Sequence, residues 1–119
     1  MAKKIYKILR ATEWQHATMN TAYAGSADDI RDGFIHFSTS AQLPGTLDKH
    51  YRGENRVCIA AFKAEQFSGD TLRWEPSRGG DLFPHLYDTL NVQIAVGNWS
   101  ADIPKKGPIE LSMVAGADA

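Results

Sequence analysis

The run from Arg56 to Phe62, R-V-C-I-A-A-F, constrains this chain more than any other feature, because it is a nearly unbroken apolar stretch of strand length. A strand of that kind is stable where both of its faces are covered, at the centre of a sheet with a packed layer on each side. It predicts a central strand. The chain has 119 residues, 43% of them hydrophobic and 23% charged, enough to bury one modest core. We expect a single domain over residues 1–106. After Pro104 the sequence turns to prolines, glycines and small residues, and 107–119 reads as a partly ordered tail.

Other elements follow from local signals. Ile5, Tyr6, Ile8 and Leu9 form a short apolar run with Lys7 inside it, read as a strand. Thr12 and Gln15 have capping-box spacing and predict a helix to about Met19, with Trp14, Ala17 and Thr18 on one face. Ser26 and Asp29 repeat the signature, with Gly33 closing a short turn before a strand at 34–37. Thr39 and Gln42 repeat it again, before a stripe of Ala41, Leu43, Leu47 and Tyr51 that ends near Gly53. Pro44 would fall in the fifth helical position and forfeit a backbone hydrogen bond, so that helix starts later or bends there. Beyond a turn at Gln66–Gly69, Leu72–Trp74 reads as a strand and E-P-S-R-G-G-D-L-F-P-H-L-Y as a loop. N-V-Q-I-A-V-G-N-W reads as the last strand, with Val92, Ile94 and Val96 inward. The sum is an α+β domain with mixed or antiparallel sheets and short helices. Its expected core is Ile5, Ile8, Trp14, Ile35, Phe37, Val57, Ile59, Ala61, Leu72, Val92, Ile94 and Val96.

Charge narrows the partners. With 13 basic and 14 acidic residues the formal net charge is −1, which offers no footprint for duplex nucleic acid or an anionic membrane and favours a small-molecule or nucleotide ligand. No stretch approaches the roughly 20 apolar residues of a spanning helix, and two lysines near the start precede no sustained apolar segment, so a cytoplasmic location is expected. Cys58, the single cysteine, sits inside the apolar run and reads as an inert core thiol. His16, His36, His50 and His85 are widely spaced, with neither H-x-x-x-H nor C-x-x-C, and no metal is expected. G-x-G-x-x-G, P-loop and G-x-S-x-G motifs are absent too.

Chemistry concentrates in two places. In G-F-I-H-F-S-T, period-two alternation puts Ile35 and Phe37 on one face and Phe34, His36 and Ser38 on the other. If Ile35 and Phe37 face the core, His36 and Ser38 point together into a cleft. The hydroxyls of Ser38, Thr39 and Ser40 stand where a helix begins, where free N–H groups could meet an anion or a ribose. The plainer alternatives are a satisfied structural histidine and a Thr39 that only caps its own helix. In the second place, the loop to Tyr87, prolines and glycines fix a path lined by Arg73, Glu75, Arg78, Asp81, His85 and Tyr87. Arg78 and Asp81 read as a solvated surface pair. Glu75 directly follows an apolar strand end, where a carboxylate can be aimed into a cleft. An acid/base pair of Glu75 with His36 or His85, in a hydrolase, is a further reading.

The combination of I-Y-K-I, G-F-I-H-F-S-T and L-R-W-E-P-S-R-G-G-D-L-F-P-H-L-Y resembles the Domain of Unknown Function 952 family, over residues 5 to about 96. More remotely, Ile35-His36-Phe37-Ser38 with Ala41 and Gly45 resembles the strand-and-helix motif of RNA 2′-phosphotransferases, which have the ADP-ribosyltransferase-like fold. That resemblance implies a cleft between two small sheets that takes NAD as a substrate, or a ribose phosphate. In it His36 and Ser38 would face the ribose, Thr39, His85, Arg73, Tyr6 and Tyr87 would assist binding, and Glu75 would stabilise a developing oxocarbenium ion. Lys49 and His50 stand in the helix region where phosphotransferases carry an arginine, and of a Tyr-His-Gly strand end only Tyr6 is retained. Both departures favour a binding module without catalysis as the alternative to a transferase.

Overall fold

The computed structural model describes residues 3–20 and 22–111. Its frame is two three-stranded antiparallel sheets. In the first, β3 (Val57–Lys63) lies between β1 (Lys4–Leu9) and β6 (Gly97–Ala101), so the apolar run is the central strand its composition predicts. Opposed residues share a face, and the register pairs Ile5 with Phe62, Ile8 with Ile59 and Leu9 with Cys58.

Each face then builds its own core. Cys58, Ala60 and Phe62 join Ile5, Leu9, Ile35, Phe37, Leu72 and Leu86 between the two sheets, and Val57, Ile59 and Ala61 join Tyr6, Ile8, Leu43, Leu47 and Ile103 on the far side. A strand apolar on both faces needs two partners, and it has them. Burial pushes the Cys58 thiol up to about 12, as suits an inert core cysteine. Lys7 stands on the first core's face, opposite Ala60, whose methyl leaves room for the lysine stem.

The second sheet has the order β2 (Ile35–His36), β5 (Leu82–Leu86), β4 (Leu72–Pro76). The segment read from sequence as a loop is therefore a hairpin, with only Ser77–Asp81 at its tip. Its prolines and charges disguise the strands, because Arg73 and Glu75 interrupt the apolar pattern of β4, and in β5 Pro84 and His85 are buried in a middle strand. Pro84 is tolerated since its carbonyl accepts from Phe37 N (2.9 Å), while the missing N–H ends the regular ladder and shortens β2 to two residues. A bridge between Tyr6 and Ser38 joins the sheets.

Helices α1 (Ala11–Met19), α2 (Ala27–Asp32) and α3 (Leu43–His50) complete the frame. The box that starts α1 lies earlier than Thr12 and Gln15, with Arg10 N–H donating to Glu13. At α2 the expected box forms: Asp29 N–H donates to Ser26 Oγ (3.2 Å) and Ser26 N–H to Asp29 Oδ2 (2.8 Å). Thr39 and Gln42 exchange the predicted bonds, but these close a turn ahead of α3 and leave Pro44 in the helix's first turn, where it forfeits nothing.

One strand is corrected. Residues Val92–Ile94 form a 3₁₀ turn, because Asn91 Oδ1 accepts from Gln93 N–H, and Val96, placed in the core by alternation, is 46% exposed. The chain enters the sheet only at Gly97, opposite Ala61, where any Cβ would press within 2.8 Å of the Trp99 ring. Of the expected tail, Ile109 and Leu111 pack against the far-side core, and 112–119 lie outside the described residues. Among the described residues no helix is long and apolar enough to cross a membrane.

Candidate functional site

Where β1, α2, β2 and β5 meet α3, the sheets leave a cavity of about 300 Å³. Its polar wall includes Lys7, Asp29, His36, Ser38, Thr46 and His85, and Lys49 stands at its exposed rim. The alternation argument holds here: Ile35 and Phe37 are buried at 2% exposure, and His36 and Ser38 face the cavity together.

Asp29 organises one side. It is held close because Gly25, at φ +114°, brings the chain so near that a Cβ there would sit 2.5 Å from the Asp29 Cβ. Asp29 is buried, and its carboxylate is fully used: Oδ2 accepts from Lys7 Nζ (2.7 Å) and Ser26 N–H, and Oδ1 from His36 N–H (3.1 Å) and pairs with His36 Nδ1 (2.6 Å). Burial alone would push this carboxyl up, but the His36 bond, the Lys7 charge and bond, and the Ser26 N–H outweigh it and hold it well below the usual carboxylate range. The other ring nitrogen of His36, Nε2, lies 3.0 Å from Asp32 Oδ2. Both nitrogens of His36 thus face carboxylates.

The second histidine differs. His85 is 4% exposed and its Nδ1 meets Glu75 Oε1 at 2.9 Å, while Tyr87 OH donates to the same oxygen at 2.6 Å. The Phe34 ring stacks on it at 4.0 Å between centroids, and the His36 ring stands 5.5 Å away, edge-on. Desolvation lowers the His85 pKa against the raising effect of Glu75. Glu75 itself is held below its ordinary value, by Tyr87 first and His85 second. His85 Nε2 is buried with no hydrogen-bond partner, the one such side-chain atom among the described residues.

The residues read from sequence therefore divide. Tyr6, His36, Ser38 and His85 come together on the cavity wall. Glu75 and Tyr87 stand behind His85 rather than on the wall, so Glu75 reaches the cavity only through the imidazole. Arg73 lies outside, over the Tyr87 ring at 4.9 Å, and Thr39 spends its N–H and hydroxyl on the turn with Gln42. That turn spends the N–H groups of Thr39 and Gln42 within the chain. Sequence reasoning missed Lys7 and Asp29. A lysine inside an apolar strand was the available signal for the first, and an acidic N3 residue in a capping box hides the second. Among the described residues no group of three or more His, Cys, Asp or Glu side chains is placed to hold a metal ion.

A small α+β protein with this geometry is identified by its relatives. The chain belongs to the family described as "Protein of unknown function (DUF952)", whose model matches residues 8–97. It is similar to the crystal structure of protein CC0527 from Caulobacter crescentus, at 39% identity over 95% of this chain and 98% of that one, with a TM-score of 0.86. The solution NMR structure of CC0527 matches at 40% identity over 93% and 95%, with a TM-score of 0.80. No curated protein matches significantly.

Proposed function

We propose that the cavity binds NAD or a related ribose phosphate, and that the two sheets with a cleft at their junction are a small variant of the ADP-ribosyltransferase-like fold. One observation carries the ligand class. Of the lysines and arginines around the cavity, Lys7 is matched by Asp29, Arg10 by Glu54 and Arg31 by Asp28 and Asp32, whereas Lys49 has no acidic partner among the described residues. An unmatched cation at the rim of a hydroxyl-rich cavity suits a phosphate on a sugar. A volume of about 300 Å³ suits a ribose phosphate unit, with the rest of a dinucleotide outside.

Binding without catalysis is the reading this geometry favours. Glu75 stands behind His85, off the cavity wall, and its Oε1 is occupied by His85 and Tyr87. Calorimetric titration with NAD, ADP-ribose and a 2′-phosphorylated nucleotide tests the reading, with chromatography of the same samples for nicotinamide and phosphate transfer. Binding without product is expected, weakened by Lys49→Gln. Product that depends on Glu75 would establish the transferase instead, and no binding of any of the three would end the nucleotide assignment.

A further inference from the structure

Among the described residues, one buried side-chain polar atom is left without a hydrogen-bond partner, His85 Nε2. Leaving such an atom without a partner costs free energy that a fold ordinarily avoids. Its surroundings say what would satisfy it. Nδ1 is directed at Glu75, which does not line the cavity, whereas His85 itself does, so its buried Nε2 lies behind the cavity wall and a ligand hydroxyl meets it by entering that wall. A carboxylate at Nδ1 requires the proton to sit there, and the neutral ring then presents Nε2 as a bare lone pair. Tyr87, which can only donate to Glu75 Oε1, keeps that oxygen an acceptor and so fixes the tautomer.

The geometry points to His85 Nε2 as a hydrogen-bond acceptor that selects ligands presenting an O–H group at this wall, with Glu75 as its positioning residue. The inference rests on the ribose phosphate reading and deepens it: phosphate is matched at the rim by Lys49, and a sugar hydroxyl inside by His85. It also gives the site a basis for discrimination, since a ligand of the same shape without the hydroxyl would leave the buried lone pair unmet. His36, whose nitrogens both face carboxylates, cannot serve in the same way.

The test uses nitrogen-15 NMR of the histidine rings and the backbone amides in the full chain, with ribose 5-phosphate and its fully O-methylated analogue as probes. Before ligand, His85 should show a protonated Nδ1 and an unprotonated Nε2 at neutral pH. Ribose 5-phosphate should move the His85 Nε2 resonance and bind roughly tenfold or more tightly than the methylated sugar. Glu75→Gln should abolish that preference by freeing the tautomer, and His85→Leu should abolish it by removing the acceptor. A protonated Nε2, or equal binding of both sugars with shifts at Ser38 and Thr46 but none at His85, overturns the inference and leaves the ribose phosphate reading standing. Absence of any shift at the cavity with either sugar overturns both.

Discussion

Two histidines stand 5.5 Å apart on this cavity, each held by a carboxylate, and they have opposite characters. His36 belongs to a closed system: its Nδ1 and backbone N–H meet Asp29, its Nε2 meets Asp32, and Asp29 also takes the buried Lys7 ammonium. His85 belongs to an open one, with Glu75, held by Tyr87, serving Nδ1 and no hydrogen-bond partner at the buried Nε2. The number of carboxylates near an imidazole does not by itself mark a site. What matters is whether a nitrogen is left over, and the closed cluster gives stability where the open pair keeps a lone pair in reserve.

The largest test of that contrast is Asp29→Asn. It leaves the Lys7 ammonium buried without its counter-charge, and the loss of folding stability by urea denaturation should be about 3–5 kcal/mol. A loss below about 1 kcal/mol would mean that the cluster is not structural. Changing Lys7 to Met in the same background should recover part of the loss, because the pair is coupled.

The same carboxylate shapes the acid limb of stability. Its folded pKa is depressed, so the stabilisation is complete above the unfolded value of about 3.9 and is lost as pH falls below it. Urea midpoints should drop from about pH 4 downward in the wild type, and the drop should be shallower in Asp29→Asn. His85 is also depressed, so it adds stability that is complete above about pH 6.5 and fades as pH falls below that value. That upper decline should vanish in His85→Leu, whereas Asp29→Asn should retain it.

His36→Gln should cost less than Asp29→Asn, about 1–3 kcal/mol, since the His36 backbone N–H still serves Asp29 Oδ1 and the ring is partly open to solvent. His85→Leu should cost less again at pH 7, within about 1 kcal/mol of wild type, because it removes an unmet polar atom while Glu75 stays within reach of water. Should it destabilise as strongly as Asp29→Asn, His85 would be structural too and the contrast would collapse. The smallest effect belongs to Tyr87→Phe. It should leave the urea midpoint unchanged and register only in the His85 ring resonances, as the tautomer loosens.

Much of this was legible before any coordinates. A run apolar on both faces can only be a covered central strand, and β3 is one. Alternation around Ile35 and Phe37 sets His36 and Ser38 on one side, and Ser26 with Asp29 caps α2 as spaced. These are properties of a residue and its near neighbours. Where several local signals compete, the sequence reading fails. Alternating valines at 92–96 lose to the Asn91 side chain, which captures Gln93 N–H, and the β4–β5 hairpin hides behind Pro76, Pro84 and a row of charges.

The tertiary structure alone decided which charges meet. Lys7 and Asp29 are separated by 22 positions and His85 and Glu75 by 10, and nothing local distinguishes them from solvated side chains. The Lys7–Asp29 pairing follows from packing α2 beside β2, whose continuation bridges to β1 at Tyr6 and Ser38, and the Glu75–His85 pairing from the hairpin register. Burial then converts an ordinary ion pair into a structural joint, and an ordinary imidazole into one whose second nitrogen is walled off from every partner the chain supplies. The sequence alone determined the central strand β3, the cap of α2 and the face on which His36 lies. Desolvation and register, which exist only once distant segments are in contact, decided that His36 is closed and His85 open.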